Sequence, residues 1–169
     1  MKVILYMAVS ADGFIATKDG DSDWVSEVDA QNFERKIAEA GCVILGGKTF
    51  DQYEGDLFPL EDVTNVVISR RQRTQSKYSN VVFVKSVEDA LKSAKNKNRN
   101  TVLLIGGGTI NGFFLNKGLI DEIFLSVHPL VLGDGIKLFE GSNLTVNLEL
   151  LDSSELGEGL VQLHYKVIK

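Results

Sequence analysis

Two glycine-rich stretches have the residue types and spacing to do chemistry. They are Gly106-Gly107-Gly108-Thr109, after the apolar run Thr101–Ile105, and Gly46-Gly47-Lys48-Thr49, after Cys42–Leu45. Each stands where a buried strand would pass into a helix, so backbone N–H groups can approach an anion and the first helical turn offers unsatisfied donors. A phosphate or pyrophosphate is the natural occupant. The alternative is a tight turn that needs only positive φ, for which one glycine would do. Neither stretch is a common nucleotide motif. Residue 111 is Asn, which breaks G-x-G-x-x-G, and Cys42 occupies the place of the first glycine of a P-loop ending in Gly47-Lys48-Thr49. Two such junctions at the carboxyl ends of strands could bracket one elongated, multiply charged ligand.

Arg70, Arg71 and Arg73 follow a third apolar run, Asn65–Ser69, and make the densest positive spot of the chain. Arg suits two-pronged phosphate contacts, and a dinucleotide with an extra 2′-phosphate would want one. Arg70, nearest the strand, is the candidate, while Arg71 and Arg73 read as loop charge. Among the carboxylates Asp29 stands out, between Trp24 and Phe33 and after the polar stretch Lys18–Asp23. A carboxyl group among aromatics can hold or deliver a proton. Asp29 also lies three residues after Ser26, as the partner of a helix capping box. Asp12, before Gly13, reads as a turn residue. His164 reads as inert on the polar face of a strand, and His128 carries no role.

The elements that must position these groups follow from hydrophobic periodicity. Continuous apolar runs predict strands at Val3–Val9, Cys42–Leu45, Asn65–Ser69, Val81–Val84 and Thr101–Ile105, and at the start of Leu119–Leu132. A closing hairpin joins Leu148–Leu151 to Gly159–Ile168. Helical spacing predicts helices over Ser26–Ala40, from Thr49, over Ser86–Lys95, and after Thr109 as N-cap, with Ile110, Phe113 and Phe114 inward. The alternation gives an α/β fold with a mixed, mostly parallel sheet flanked by helices and a C-terminal antiparallel hairpin. At 169 residues the chain is read as one domain, residues 1–169. Eighteen Lys and Arg against 23 Asp and Glu leave a net charge of −5, a poor basis for nucleic-acid binding. No apolar run is long enough for a membrane helix. One cysteine and two histidines leave too few ligands for a zinc site, and the lone Cys42 points to a reducing, cytoplasmic setting.

Five blocks, in order along nearly the whole chain, carry a family likeness. They are Met7-Ala-Val-Ser-Ala-Asp-Gly-Phe-Ile-Ala16, Val43-Ile-Leu-Gly-Gly-Lys-Thr-Phe50, Val67-Ile-Ser-Arg70, Ile105-Gly-Gly-Gly108, and Asp121-Glu-Ile-Phe-Leu-Ser-Val-His-Pro-Leu-Val-Leu-Gly-Asp-Gly135. The chain resembles the dihydrofolate-reductase-like superfamily, and within it the branch of riboflavin-biosynthesis reductase domains. The resemblance implies an NADPH-dependent reductase, of the dihydrofolate reductase or 5-amino-6-(5-phosphoribosylamino)uracil reductase type, acting on a pteridine-, pyrimidine- or flavin-like heterocycle. It places Ala8 and Ile15 beside the nicotinamide, and Gly46, Lys48 and Thr49 on the pyrophosphate. Ser69 and Arg70 would take the adenosine 2′-phosphate, and Gly107, Gly108, Thr109 and Ile110 would wrap the pyrophosphate from the other side. Asp29 would be the acid at the acceptor, with Phe33 beside it and Ser126 as its partner. Lys18–Asp23 could close as a lid. The alternative on the same scaffold is a non-catalytic nucleotide- or flavin-binding protein, and a homodimer could form through Leu130–Phe139.

Overall fold

The structure is a computed structural model and describes residues 1–71 and 76–169, so Arg73 lies outside the described residues. Apolar runs that can be buried on both faces build the centre of an eight-stranded sheet. In spatial order its strands are β5 (Val81–Val84), β4 (Thr64–Ile68), β3 (Cys42–Gly46), β6 (Thr101–Leu104), β1 (Lys2–Ser10), β7 (Glu122–His128), β10 (Leu160–Val167) and β9 (Leu148–Gly157). From β5 to β7 in that order all neighbours pair parallel, and β10 and β9 add antiparallel as the C-terminal hairpin. The expected architecture is the observed one.

Successive residues of a strand point to opposite faces, and both faces are covered. On one side Ile37 and Ala40 of α1 (Glu27–Ala40) and Phe50 of α2 (Gly47–Gln52) pack with Tyr6, Leu45, Val67 and Leu103. On the other, Ala90 and Ala94 of α3 (Val87–Asn96) and Ile110 and Phe114 of α4 (Gly108–Asn116) pack with Leu5, Ile44, Val66 and Leu104. The N-termini of α1 and α3 are capped as expected, with Ser26 accepting from the Asp29 N–H and Ser86 from the Asp89 N–H. α1 ends on Gly41, whose φ of 62° closes the last turn.

Two short strands escape a periodicity reading. β2 (Phe14–Ala16) and β8 (Ile136–Lys137) pair antiparallel in a separate two-stranded sheet. Beyond β8 the chain runs as a strap along α4. A Cβ on Gly108 would lie 2.2 Å from the Lys137 carbonyl oxygen, and one on Gly112 2.0 Å from that of Glu140. The buried Asn111 amide donates to the Leu138 carbonyl at 3.0 Å. The strap accounts for two corrections to the sequence reading of α4. Its N-cap is Gly107 rather than Thr109, whose hydroxyl instead donates to Glu140 at 2.9 Å. Phe113 is not inward but 48% exposed, because the strap covers the Asn111–Gly112 side and leaves Phe113 outside the buried arc. The Leu130–Phe139 stretch, a possible subunit interface by composition, contributes Leu138 and Phe139 to the core and leaves Val131 exposed.

Asp12 is more than a turn residue. It accepts from the Ser10 hydroxyl at 2.6 Å and from the Leu132 and Gly133 N–H groups at 3.1 and 2.7 Å, tying the β1–β2 turn to the loop before β8. Those donors, the Ser10 hydroxyl first, hold its carboxyl below the usual range.

Candidate functional site

Parallel strands end on one edge of a sheet, so residues following β1, β3, β4, β5 and β6 meet there. A cleft of about 700 Å³ opens along that edge, within the roughly 300–1,000 Å³ of small-molecule sites. Of the residues singled out by sequence, Ile15, Phe33, Gly46, Lys48, Thr49, Ser69, Arg70, Gly107, Gly108, Thr109 and Ile110 line it. Ala8, Asp29 and Ser126 do not, and on β1 the lining residue is Met7.

The glycines at the strand ends serve close approach more than backbone freedom. Of the triple glycine only Gly106 has positive φ (95°), and its peptide bond to Gly107 is cis. A Cβ on Gly46 would stand 2.9 Å from Ile110 Cγ1, one on Gly47 2.8 Å from Ser69 Oγ, and one on Gly107 3.2 Å from Thr49 Oγ1. The ends of β3, β4 and β6 therefore form one cradle in which added side chains would collide. Lys48, Arg70 and Lys85 are exposed on its lining, and none has an ion pair among the described residues. Lys85, which the sequence does not single out, follows β5 as Arg70 follows β4. Arg71, read there as loop charge, also lines the cleft and pairs with Asp51 at 3.0 Å.

Asp29 lies behind the wall. Its side chain is turned inward, the residue is 2% exposed, and it accepts from the Tyr6 hydroxyl at 2.6 Å. The Tyr6 oxygen in turn accepts from Ser126 at 3.2 Å and from Gln162 at 3.1 Å, so Ser126 reaches Asp29 only through Tyr6. Only half of the expected capping box forms. Ser26 takes the Asp29 N–H, but the Ser26 N–H donates to His128 Nε2 at 3.2 Å instead of to the carboxylate. His128 Nδ1 lies 3.0 Å from the Ser126 carbonyl, which can only accept. The partners thus assign the proton to Nδ1 and leave Nε2 as acceptor. His128, given no role by sequence, frees Asp29 to face Tyr6. Burial first, and then the Asp29 carboxylate, push the Tyr6 phenol well above its ordinary value, which keeps its hydroxyl a donor.

The loop between β2 and α1 is latched onto the end of α2. The Gln52 amide donates to the Gly20 carbonyl at 2.8 Å, the Tyr53 hydroxyl reaches the same oxygen at 3.3 Å, and Ser22 lies 3.1 Å from Tyr53 Oη. Gln52→Ala is expected to release this loop, a hydrogen bond of about 1 kcal/mol giving roughly fivefold faster tryptic cleavage after Lys18. An unchanged cleavage rate would remove the latch.

A cradle of crowded glycines, with cations unpaired among the described residues at one end and aromatic side chains at the other, suits an elongated polyanion that carries a planar head. The family model described as the RibD C-terminal domain matches residues 1–162. The protein YyaP of Bacillus subtilis is 31% identical, over 97% of this chain and 94% of its own length. The 2,5-diamino-6-ribosylamino-4(3H)-pyrimidinone 5′-phosphate reductase of Methanothermobacter thermautotrophicus is 24% identical, over 94% of this chain and 95% of its own. A crystal structure from a Shewanella species, of a protein ascribed to riboflavin biosynthesis, superposes with a TM-score of 0.82 over the whole of both chains at 26% identity.

Proposed function

Because the chain belongs to the RibD C-terminal domain family, we propose that it is an oxidoreductase that uses NADPH to reduce a heterocyclic acceptor. The single observation behind this reading is the convergence of Lys48, Arg70 and Lys85, without ion pairs among the described residues, on a glycine cradle built from three strand ends. Lys48 and Thr49 would hold the pyrophosphate from the β3 side, and Gly107 to Ile110 from the β6 side. Ser69 and Arg70 would take the 2′-phosphate. Met7 and Ile15 would flank the nicotinamide, and Phe33 the acceptor. When bound, the reduced nicotinamide supplies a hydride, and one proton from water completes the two-electron reduction of a C=N or C=O bond. The protein holds two planar partners face to face, since orientation supplies much of the acceleration. Asp29 acts from behind the wall, fixing Tyr6, against which the Phe33 ring packs with centroids 5.5 Å apart.

The test is a calorimetric titration with NADPH and with NADH. Binding of NADPH at least about tenfold tighter than NADH is expected from the added 2′-phosphate contact, and absence of binding by either cofactor overturns the reading. A non-catalytic nucleotide- or flavin-binding role is the second reading, favoured by the lack of an acidic side chain at the β1 end of the cleft among the described residues. Cofactor-dependent reduction of any heterocyclic acceptor decides against it. A reducing, cytoplasmic location suits Cys42, a free and buried thiol pushed up to about 11 by that burial.

A further inference from the structure

Charge in the cleft follows strand order. Its charged lining residues are Lys48 and Asp51 after β3, Arg70 and Arg71 after β4, Lys85 after β5, and Glu140 beside Thr109. None comes from β1, β2, the loop before α1, α1 itself or residues 53–58. That end is lined by Met7, Ile15, Phe33, Tyr53, Leu57 and Phe58. Its polar groups already serve one another, Gln52 and Tyr53 at the Gly20 carbonyl and Ser22 at Tyr53. Asp51 is drawn the other way, toward Arg71, and Asp29 is closed off by Tyr6. The loop of this end carries Asp19, Asp21 and Asp23, while its Lys18 is paired with Asp134.

We propose that the acceptor bound at the β1 end is an uncharged planar ring compound carrying neither phosphate nor carboxylate. This deepens the reductase reading and rests on it, because the cations of the β3–β5 end are then taken by the cofactor. An anionic acceptor would lose its hydration here without gaining a cation, a penalty that buried charges avoid only by pairing. The archaeal relative is named for a substrate with a 5′-phosphate, whereas among the described residues no cation lines the β1 end of this cleft. Phe33 and Tyr53 offer aromatic faces for a ring, and Leu57, 48% exposed, forms an apolar lip.

The experiment compares riboflavin with its 5′-phosphate, FMN, which differ only in the charged group. Binding is followed by flavin fluorescence with NADP⁺ held at saturation, so that the cation end is occupied. Riboflavin is expected to bind about tenfold more tightly than FMN, as expected for desolvating an unpaired anion at a partly open site. Leu57→Arg, at an exposed position where folding is not at stake, is expected to narrow that preference by supplying the missing cation. FMN binding as tightly as riboflavin, or neither flavin binding while NADP⁺ does, overturns the proposal. Failure of NADP⁺ itself to bind marks instead the failure of the reductase reading.

Discussion

Arg70→Ala is expected to weaken NADPH binding by about tenfold while moving NADH affinity by no more than about twofold. Arg70 follows β4, lines the cleft, and has no ion pair among the described residues, so its guanidinium is not committed to the protein. A two-pronged guanidinium–phosphate contact gives about 1.5–3 kcal/mol, and exposure at the rim argues for the lower part of that range. Because NADH lacks the 2′-phosphate, the difference between the two cofactors isolates the contact from any general loss of folding. Equal loss for both cofactors would show that Arg70 acts on the pyrophosphate or on the cradle, and no loss for either would remove it from the site.

Tyr6→Phe is expected to destabilise the fold by about 2 kcal/mol, a hydrogen bond to a buried charged group, and to lower Tm by roughly 4–8 °C. The substitution removes the hydroxyl that Asp29 accepts at 2.6 Å and leaves a carboxylate that is 2% exposed without that donor. It also removes the acceptor of the Ser126 hydroxyl and one of two acceptors of the Gln162 amide, which keeps Ser126 Oγ at 3.2 Å. Asp29→Asn keeps an acceptor for Tyr6 and should cost about half as much, because only the charge assistance is lost. Both variants should retain NADPH affinity, since neither side chain lines the cleft. Loss of kcat in Asp29→Asn, with Tm and cofactor affinity unchanged, would show that Asp29 delivers the proton and that the wall opens during turnover.

The strands of the eight-stranded sheet, the two side-chain caps and the glycine junctions were legible because each is written in neighbouring residues. A run such as Cys42-Val-Ile-Leu is apolar on both faces, and Ser86 stands three residues before Asp89. The cradle residues were legible for a related reason: in a parallel sheet the strands end on the same edge, so residues after the runs that became β3, β4, β5 and β6 line one cleft. Lys85 follows β5 as Arg70 follows β4, but one lysine is a weaker signal in sequence than three arginines.

Local sequence settled the alternation of elements, the edge on which the parallel strands end, and the cations available there, since backbone preference and side-chain periodicity act over a few residues. Tertiary structure alone decided which way Asp29 faces. That choice depends on Tyr6, Ser126, His128 and Gln162, which lie up to 156 residues apart along the chain. The same holds for Gly112 and Phe113: a strap from residues 136–142 crosses α4, demands a glycine where it passes, and leaves the aromatic ring outside. A contact between distant segments competes with local periodicity through packing volume, and a single stretch of sequence carries no record of the atoms that will be laid against it.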